Sequence, residues 1–145
     1  MKNFLAAILC GALLLTSACA LASVDGSKIA LGSVYPGMSV EELIRVCGQP
    51  SYRDGDDWIY ANFKVDTEHG HVEEVSTTSG AVSTPDGIHV GQPDSVLNGS
   101  FGSADKVDHE DYGVEYEYYS NDRSKKIEFK VANGNIVKIT CKLRD

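Results

Sequence analysis

The stretch GMSVEELIRVCG, residues 37–48, is echoed later in the chain by GQPDSVLNGSFG, residues 91–102. Aligning the two stretches brings glycine onto glycine at both ends and leucine onto leucine in the middle. Further along, FKV at residues 63–65 recurs as FKV at residues 129–131. Such internal similarity is typical of a chain built from two copies of one supersecondary unit.

The first of these stretches has the pattern of an amphipathic helix with defined ends. Ser39 is a suitable N-cap, and Glu42 three residues later completes a capping box. Gly48 favours the end of the helix. The apolar residues at helical spacing are Val40, Leu43, Ile44 and Cys47. The second stretch predicts a weaker helix, because Asn98 and Gly99 lie in its interior.

Strand patterns follow each helix pattern. Polar and apolar residues alternate in residues 58–65, 71–77, 114–119, 126–131 and 136–141. This alternation is typical of an antiparallel sheet with one polar face, and Asn133-Gly134 marks a hairpin turn before the last strand. The sequence therefore predicts an α+β fold of two tandem repeats, each a helix followed by antiparallel strands. The repeats are expected to share one sheet with both helices on one face.

The first repeat is shorter than the second between its helix and its last strand. Either the first repeat lacks one strand, or Ala61-Asn62 forms a very tight turn. The pattern of the residues leaves both alternatives, and with them the strand count of the first repeat, open.

The N-terminal residues have the composition of a secretory signal peptide. Lys2 precedes an apolar run at residues 4–15, which is too short to cross a bilayer. Small residues just before Ser23 suit cleavage by signal peptidase. The alternative is a bacterial lipobox at residues 15–19, LTSAC, which would place a lipid on Cys19 and hold the protein on the cell envelope.

These signals divide the chain into four segments. We expect a signal peptide at residues 1–22, a flexible lead-in at 23–33, a first α/β repeat at 34–80 and a second at 81–145. Both readings of the N-terminus imply export, to the periplasm or the extracellular space in one case and to a membrane-anchored position in the other.

Composition and motifs exclude several functions. The chain has 13 basic and 21 acidic residues and a net charge of −8, so it lacks the basic surface that binds nucleic acid or anionic lipid. No nucleophile elbow, zinc motif or phosphate-binding glycine loop occurs in the sequence. His69 and His71 have the spacing of two metal ligands, but their surroundings are typical of a polar turn. We therefore expect no enzymatic activity, no metal and no cofactor.

A resemblance to known families rests on residues 36–50, PGMSVEELIRVCGQP, on Trp58-Ile59-Tyr60 and on a closing Gly-x-Val-x-x-Val at residues 70–75. These motifs are similar to those of the SmpA/OmlA family of outer-membrane assembly lipoproteins (BamE). The tandem arrangement, over about residues 34–142, resembles the β-lactamase inhibitor protein superfamily. That resemblance implies one long sheet whose exposed concave face grips a partner protein, and it agrees with the repeat better than the assembly role does.

Aromatic residues on or beside the strands are the candidates for contact with a partner. Tyrosine and tryptophan bury a large area at little cost in rotamer entropy, which favours them in interfaces. The candidates outside the expected core are Trp58, Tyr60, Tyr112 and Tyr119. We predict an exported, non-enzymatic protein-binding module that uses its sheet face and loops, with inhibition of an enzyme as one form of such binding. The alternative is an assembly or scaffold lipoprotein anchored through Cys19. The sequence does not identify the partner.

Two cysteines remain once the signal peptide is removed, and an oxidising compartment favours their pairing. Cys47 lies on the inward face of the first helix, and Cys141 lies on the inward face of the last strand. We predict a Cys47–Cys141 disulfide as a structural link. Should the last strand lie far from the first helix, each cysteine would instead be a small buried apolar residue.

Overall fold

The computed structural model describes residues 23–145, so the predicted signal peptide and Cys19 lie outside the described residues. Within that range the chain forms two short α-helices and eight strands. The helices are α1, Val40–Cys47, and α2, Val96–Phe101. The strands are β1, Tyr52–Asp54; β2, Asp57–Ile59; β3, Lys64–Glu68; β4, His71–Thr77; β5, Lys106–Glu110; β6, Gly113–Tyr119; β7, Lys125–Ala132; and β8, Asn135–Leu143.

All of these strands belong to one antiparallel sheet. Its order is β1-β2-β3-β4-β8-β7-β6-β5. Strands β4 and β8 therefore pair in the middle, with Val75 opposite Cys141 and Thr77 opposite Ile139. This pairing joins the first four strands to the last four, and β1 and β5 become the two edges.

Tight turns and a close backbone approach set the register among β6, β7 and β8. Asn133 and Gly134 adopt positive φ angles of 51° and 76° between β7 and β8, which confirms the predicted hairpin turn. Gly113 begins β6 with a φ of 148°, and a Cβ atom there would lie 2.1 Å from the carbonyl oxygen of Val131. Only glycine permits this close approach of β6 to β7.

The hydrophobic core lies on one side of the sheet. Directly opposed residues on adjacent strands form a continuous apolar row across the middle, namely Val65, Val75, Cys141, Ile127 and Tyr118. Phe129 packs beside this row against Phe101 of α2, at 5.3 Å between ring centroids. Leu43 of α1 and Leu97 of α2 are also buried in the core.

The prediction of two helix-then-strands repeats with a helical face is wrong. The fold is mostly one eight-stranded antiparallel sheet, to which α1 and α2 add only 8 and 6 residues. The reason is that irregular segments supply much of the apolar cover. The buried residues in these segments are Ile29, Leu31, Val34, Met38 and Ile88.

Residues 23–33, which were expected to form a flexible lead-in, belong to this cover. Asp25 caps a short 3-10 helix, Gly26–Lys28, by accepting a hydrogen bond from the backbone N–H of Ser27. Ile29 and Leu31 that follow are fully buried. The segment lacks a regular hydrophobic period, and for that reason its sequence did not indicate a structural role.

Helix α1 has the ends that its sequence predicts. The Ser39 hydroxyl accepts a hydrogen bond from the backbone N–H of Glu42, at 3.2 Å, and Gly48 is the C-cap. Helix α2 has no side-chain hydrogen bond at its N-cap, Ser95. Packing of Leu97 and Phe101 therefore holds α2 in place, as its weak helical propensity requires.

Replacement of Leu43 by alanine tests the role of α1 in the core. Leu43 is 0 % exposed, so the Leu43→Ala variant should lose about 2–5 kcal/mol in free energy of unfolding, the usual cost of a buried leucine. Val46, on the same helix, is 41 % exposed, and Val46→Ala should change stability by no more than about 0.5 kcal/mol. Urea unfolding of both variants measures the difference, and equal losses would contradict the packing described.

Candidate protein-binding face

The side of the sheet opposite the core is lined by charged and hydroxyl side chains, and we call it the polar face. Side chains alternate between faces along a strand, so the neighbours of the apolar row point to this side. One cross-strand row runs from β3 to β5 and consists of Lys64, Ser76, Thr140, Glu128, Glu117 and Lys106. The adjacent row runs from β2 to β6 and consists of Asp57, Asp66, Glu74, Lys142, Lys126 and Tyr119.

In the β6–β8 part of the polar face, the charges neutralise one another. Glu117 and Glu128 stand directly opposite on β6 and β7, an arrangement that would be repulsive alone. Lys126 bridges them, with Nζ 3.3 Å from Glu117 and 2.6 Å from Glu128, and Lys142 lies 3.3 Å from Glu128. Burial acts to raise the pKa of Glu128, but these two ammonium groups outweigh it and hold that pKa below its usual range.

In the β2–β4 part, acidic groups face one another with less compensation. Asp66 stands directly opposite Asp57 on one side and Glu74 on the other. Lys64 pairs with Asp57 at 2.8 Å, whereas in residues 23–145 no cation lies within 4.0 Å of the carboxylate of Asp66 or Glu74. Burial, and then the neighbouring charge of Asp57, raise the pKa of Asp66. We call Asp57, Asp66 and Glu74 the acidic row.

Two of the predicted partner-binding aromatics border the polar face at its β5–β6 side. Tyr112 lies in the β5–β6 turn, is 42 % exposed, and donates a hydrogen bond to Glu115 at 3.2 Å. Tyr119 is half-buried on β6, with the guanidinium of Arg144 4.0 Å from its ring centroid. Its hydroxyl donates to Glu117 at 3.0 Å. Lys130 Nζ also lies 5.3 Å from the Tyr112 ring centroid, so both tyrosines are engaged within the chain, and Tyr112 is the more exposed of the two.

The other two predicted aromatics have structural roles instead. Trp58 is only 5 % exposed because it lies on the core side, directly opposite Val65, with the guanidinium of Arg53 3.6 Å above its ring. Tyr60 stacks on Phe63 at 4.7 Å and donates a hydrogen bond to the carbonyl of Gly48. The expectation that Trp58 is an accessible partner-binding residue is therefore wrong.

The sequence pattern did not indicate Tyr52, the most exposed aromatic residue within residues 23–145. Tyr52, at 63 % exposure, lies on the edge strand β1 opposite Ile59 and points to the polar face. The sequence analysis did not single it out, because β1 is only three residues long and shows no periodicity. Gly55-Asp56, which joins β1 to β2, was the available signal, since a glycine-containing pair between aromatic residues indicates a hairpin.

A cluster of three carboxylates lies near the β5 edge. The side-chain oxygens of Asp108, Glu115 and Glu117 come within 4.8 Å of one another. Each carboxylate already has an ammonium partner: Lys106 at 2.8 Å from Asp108, Lys130 at 3.8 Å from Glu115, and Lys126 at 3.3 Å from Glu117. The cluster is therefore part of the ion-pair network of the polar face.

Comparisons with known proteins support the fold and leave the function open. The chain matches no protein-family model, and no curated protein is similar to it in sequence. Its structure is similar to that of a DUF4309 family protein, YjgB, from Bacillus subtilis, with a TM-score of 0.53 and 12 % identity over 73 % of this chain and 78 % of the other. It is also similar to an extracellular protein containing an SCP domain from Bacillus anthracis, with a TM-score of 0.46 and 11 % identity over 74 % and 43 % of the two chains.

No helix in residues 23–145 is long and apolar enough to cross a membrane.

The predicted Cys47–Cys141 disulfide is not formed, and both residues are free thiols. Cys47 lies at the end of α1 and is half-buried, whereas Cys141 is in the central strand β8 between Val75 and Ile127. Each therefore packs as a small apolar side chain, which was the alternative in the sequence analysis. Burial raises the pKa of both thiols, so neither has the thiolate character of a reactive cysteine.

Thiol labelling of the mature protein, without prior reduction, tests this placement. In the native protein at pH 8, Cys141 should not react and Cys47 should react slowly, because only the thiolate is nucleophilic. After unfolding in urea both thiols should titrate. Absence of titratable thiols in the unfolded protein would show a disulfide and contradict the structure.

Proposed function

We propose that this protein is an exported, non-enzymatic binding module that holds a partner protein on its polar face. The observation that carries the proposal is the acidic row. Like charges directly opposite one another on adjacent strands destabilise a sheet, yet Asp57, Asp66 and Glu74 occupy three successive strands. Natural proteins retain such unfavourable arrangements mostly where function requires them.

The contrast within the polar face strengthens this argument. The opposed pair Glu117 and Glu128 is bridged by Lys126, so the chain neutralises repulsion where neutralisation serves stability alone. In the acidic row the only ion pair within 4.0 Å, among the residues described, joins Lys64 to Asp57. Lys142 stands directly opposite Glu74, and Lys64 lowers the pKa of Asp66, but neither ammonium group comes within 4.0 Å of the Asp66 or Glu74 carboxylate. A basic group from a partner would supply that close pairing, and complementary charge favours both specificity and rapid association.

The dimensions of the polar face suit a protein partner better than a small ligand. Eight strands at a spacing of about 4.8 Å span about 34 Å from β1 to β5. That width is compatible with the roughly 800 Å² that each partner buries in a standard protein–protein interface. Tyr52 at the β1 edge and Tyr112 at the β5–β6 turn border this surface as exposed aromatic anchors.

Export rests on the predicted signal peptide at residues 1–22, and it has two forms. A secreted protein would begin at Ser23, whereas an assembly or scaffold lipoprotein would begin at a lipidated Cys19. The specific observation for the second form is the LTSAC sequence of residues 15–19. The mass of the mature N-terminus distinguishes the two forms, and the polar face can bind a partner in either.

Site-directed photocrosslinking tests the polar face. A photoreactive phenylalanine derivative placed at Tyr52 should form a discrete adduct with a protein from cell-envelope extract, identified by mass spectrometry. The double variant Asp66→Lys, Glu74→Lys in the same background should lose most of that adduct, because it opposes a basic partner with like charge. Far-ultraviolet circular dichroism checks that the double variant is folded.

The matched control carries the photoreactive residue at Val46, which is exposed on α1 on the other side of the sheet. We expect this control to give no adduct with the same protein. Identical adducts from the two positions, or an adduct unchanged by the charge reversal, would show that the polar face is not the docking surface.

A further inference from the structure

A cavity of about 280 Å³ lies between α2 and the edge strand β5, on the core side of the sheet. Leu97 of α2, Val107 of β5 and the rings of Tyr116 and Tyr118 line its wall, and Asp94 lies among the lining residues. The cavity is separate from the polar face, so an inference from it does not rest on the proposed function. The cavity is several times larger than the roughly 30 Å³ that one water molecule occupies, so it has room for a long side chain.

A contact beside α1 shows how this chain covers an aromatic ring close to the end of a helix. Arg53 is the fifth residue after Gly48, the C-cap of α1, and it stands directly opposite Trp58. Its guanidinium carbon lies 3.6 Å from the centroid of the indole ring, and the group donates a hydrogen bond to Gln49 at 3.1 Å. The first half of the chain thus covers its own aromatic ring with an arginine.

Beside α2 the chain has an aromatic ring, that of Tyr116, but no arginine to cover it. Val107 is the fifth residue after Gly102, the C-cap of α2, and it stands directly opposite Tyr116. Val107 is shorter than arginine and 47 % exposed, so the ring of Tyr116 borders a cavity instead of a guanidinium. Because Val107 is too short to cover the ring of Tyr116, the site beside α2 stays open.

The charge in this cavity favours a cation. Asp94 is half-buried, and its Oδ2 accepts a hydrogen bond from the Tyr116 hydroxyl at 3.4 Å. Among the described residues that line the cavity, none is basic. Burial first, and then the charges of Tyr116, Asp105 and Asp94, raise the pKa of Tyr118 to about 12. An aromatic wall beside an uncompensated carboxylate is the environment that a guanidinium prefers.

We infer that this cavity binds the side chain of an arginine from a partner protein, with the guanidinium stacked on Tyr116 and paired with Asp94. Arginine suits the site better than lysine, because its planar group can stack on a ring and bond a carboxylate at the same time. The partner's arginine would stack on Tyr116 as Arg53 stacks on Trp58 within the chain.

Titration with N-acetyl-arginine amide, followed by methyl resonances in nuclear magnetic resonance spectra, tests the inference. The methyl signals of Leu97 and of Ala104, which also lines the cavity, should shift saturably, and N-acetyl-lysine amide should bind more weakly. Asp94→Asn should weaken binding of the arginine amide about three- to fivefold, the effect of one exposed ion pair. Val107→Arg should abolish the shifts, because the protein's own guanidinium would fill the cavity.

Two control variants change the charge equally at other places. Asp56→Asn, at the β1–β2 turn, and Val137→Arg, at an exposed position on β8, should leave the titration unchanged. Backbone amide spectra confirm that every variant is folded. Unsaturable shifts, equal binding of the two amides, or equal affinities of the Asp94→Asn and Asp56→Asn variants would overturn the proposal.

Discussion

The pairing of β4 with β8 is the interaction on which the rest of the structure depends. It places Val75 opposite Cys141 and thereby connects Val65 on one side with Ile127 on the other in one apolar row. Without this pairing, β4 and β8 would be unpaired edge strands, and the buried side chains of Val75 and Cys141 would lie at an open edge. The same pairing creates a polar face broad enough for a protein partner. The core and the polar face are thus two consequences of one register.

Short-range patterns predicted the local structure well. The capping box at Ser39, the stop at Gly48 and the Asn133-Gly134 turn are all present, because each depends on groups within a few residues. The share of helix in the fold was not predictable in this way. Two helices of 8 and 6 residues cannot cover an eight-stranded sheet, and the irregular segments that complete the cover have no period to detect.

The placement of Trp58 shows how one turn changes a functional prediction. Residues 58–65 alternate as one strand would, which put Trp58 and Val65 on opposite faces. The chain instead turns sharply at residues 60–63, with the N–H of Tyr60 bonded to the carbonyl of Phe63, so that Trp58 stands opposite Val65. The tight turn was one of two alternatives that the sequence left open. Because it reverses the chain, it moves Trp58 into the core and leaves Tyr52 at the exposed edge.

The acidic row lowers the stability of the free protein if its charges serve a partner. The raised pKa of Asp66 means that the folded state gains stability as the pH falls through that value and loses it as the pH rises. At neutral pH the charged Asp66 carboxylate therefore opposes folding. This cost has a functional explanation only if a partner's basic group relieves it.

Urea unfolding of the Asp66→Asn variant and the wild type, at pH 7 and at pH 3, is the most direct measurement of this claim. We predict that Asp66→Asn is more stable than the wild type at pH 7, by up to about 1 kcal/mol, because it removes the cost of burying a charged carboxylate and the repulsion from Asp57. The difference should shrink at pH 3, where the raised pKa keeps the wild-type carboxyl protonated, and Asp111→Asn, in the β5–β6 turn at the other end of the sheet, should show no such gain. A variant less stable than the wild type at pH 7, or a gain unchanged at pH 3, would contradict the account.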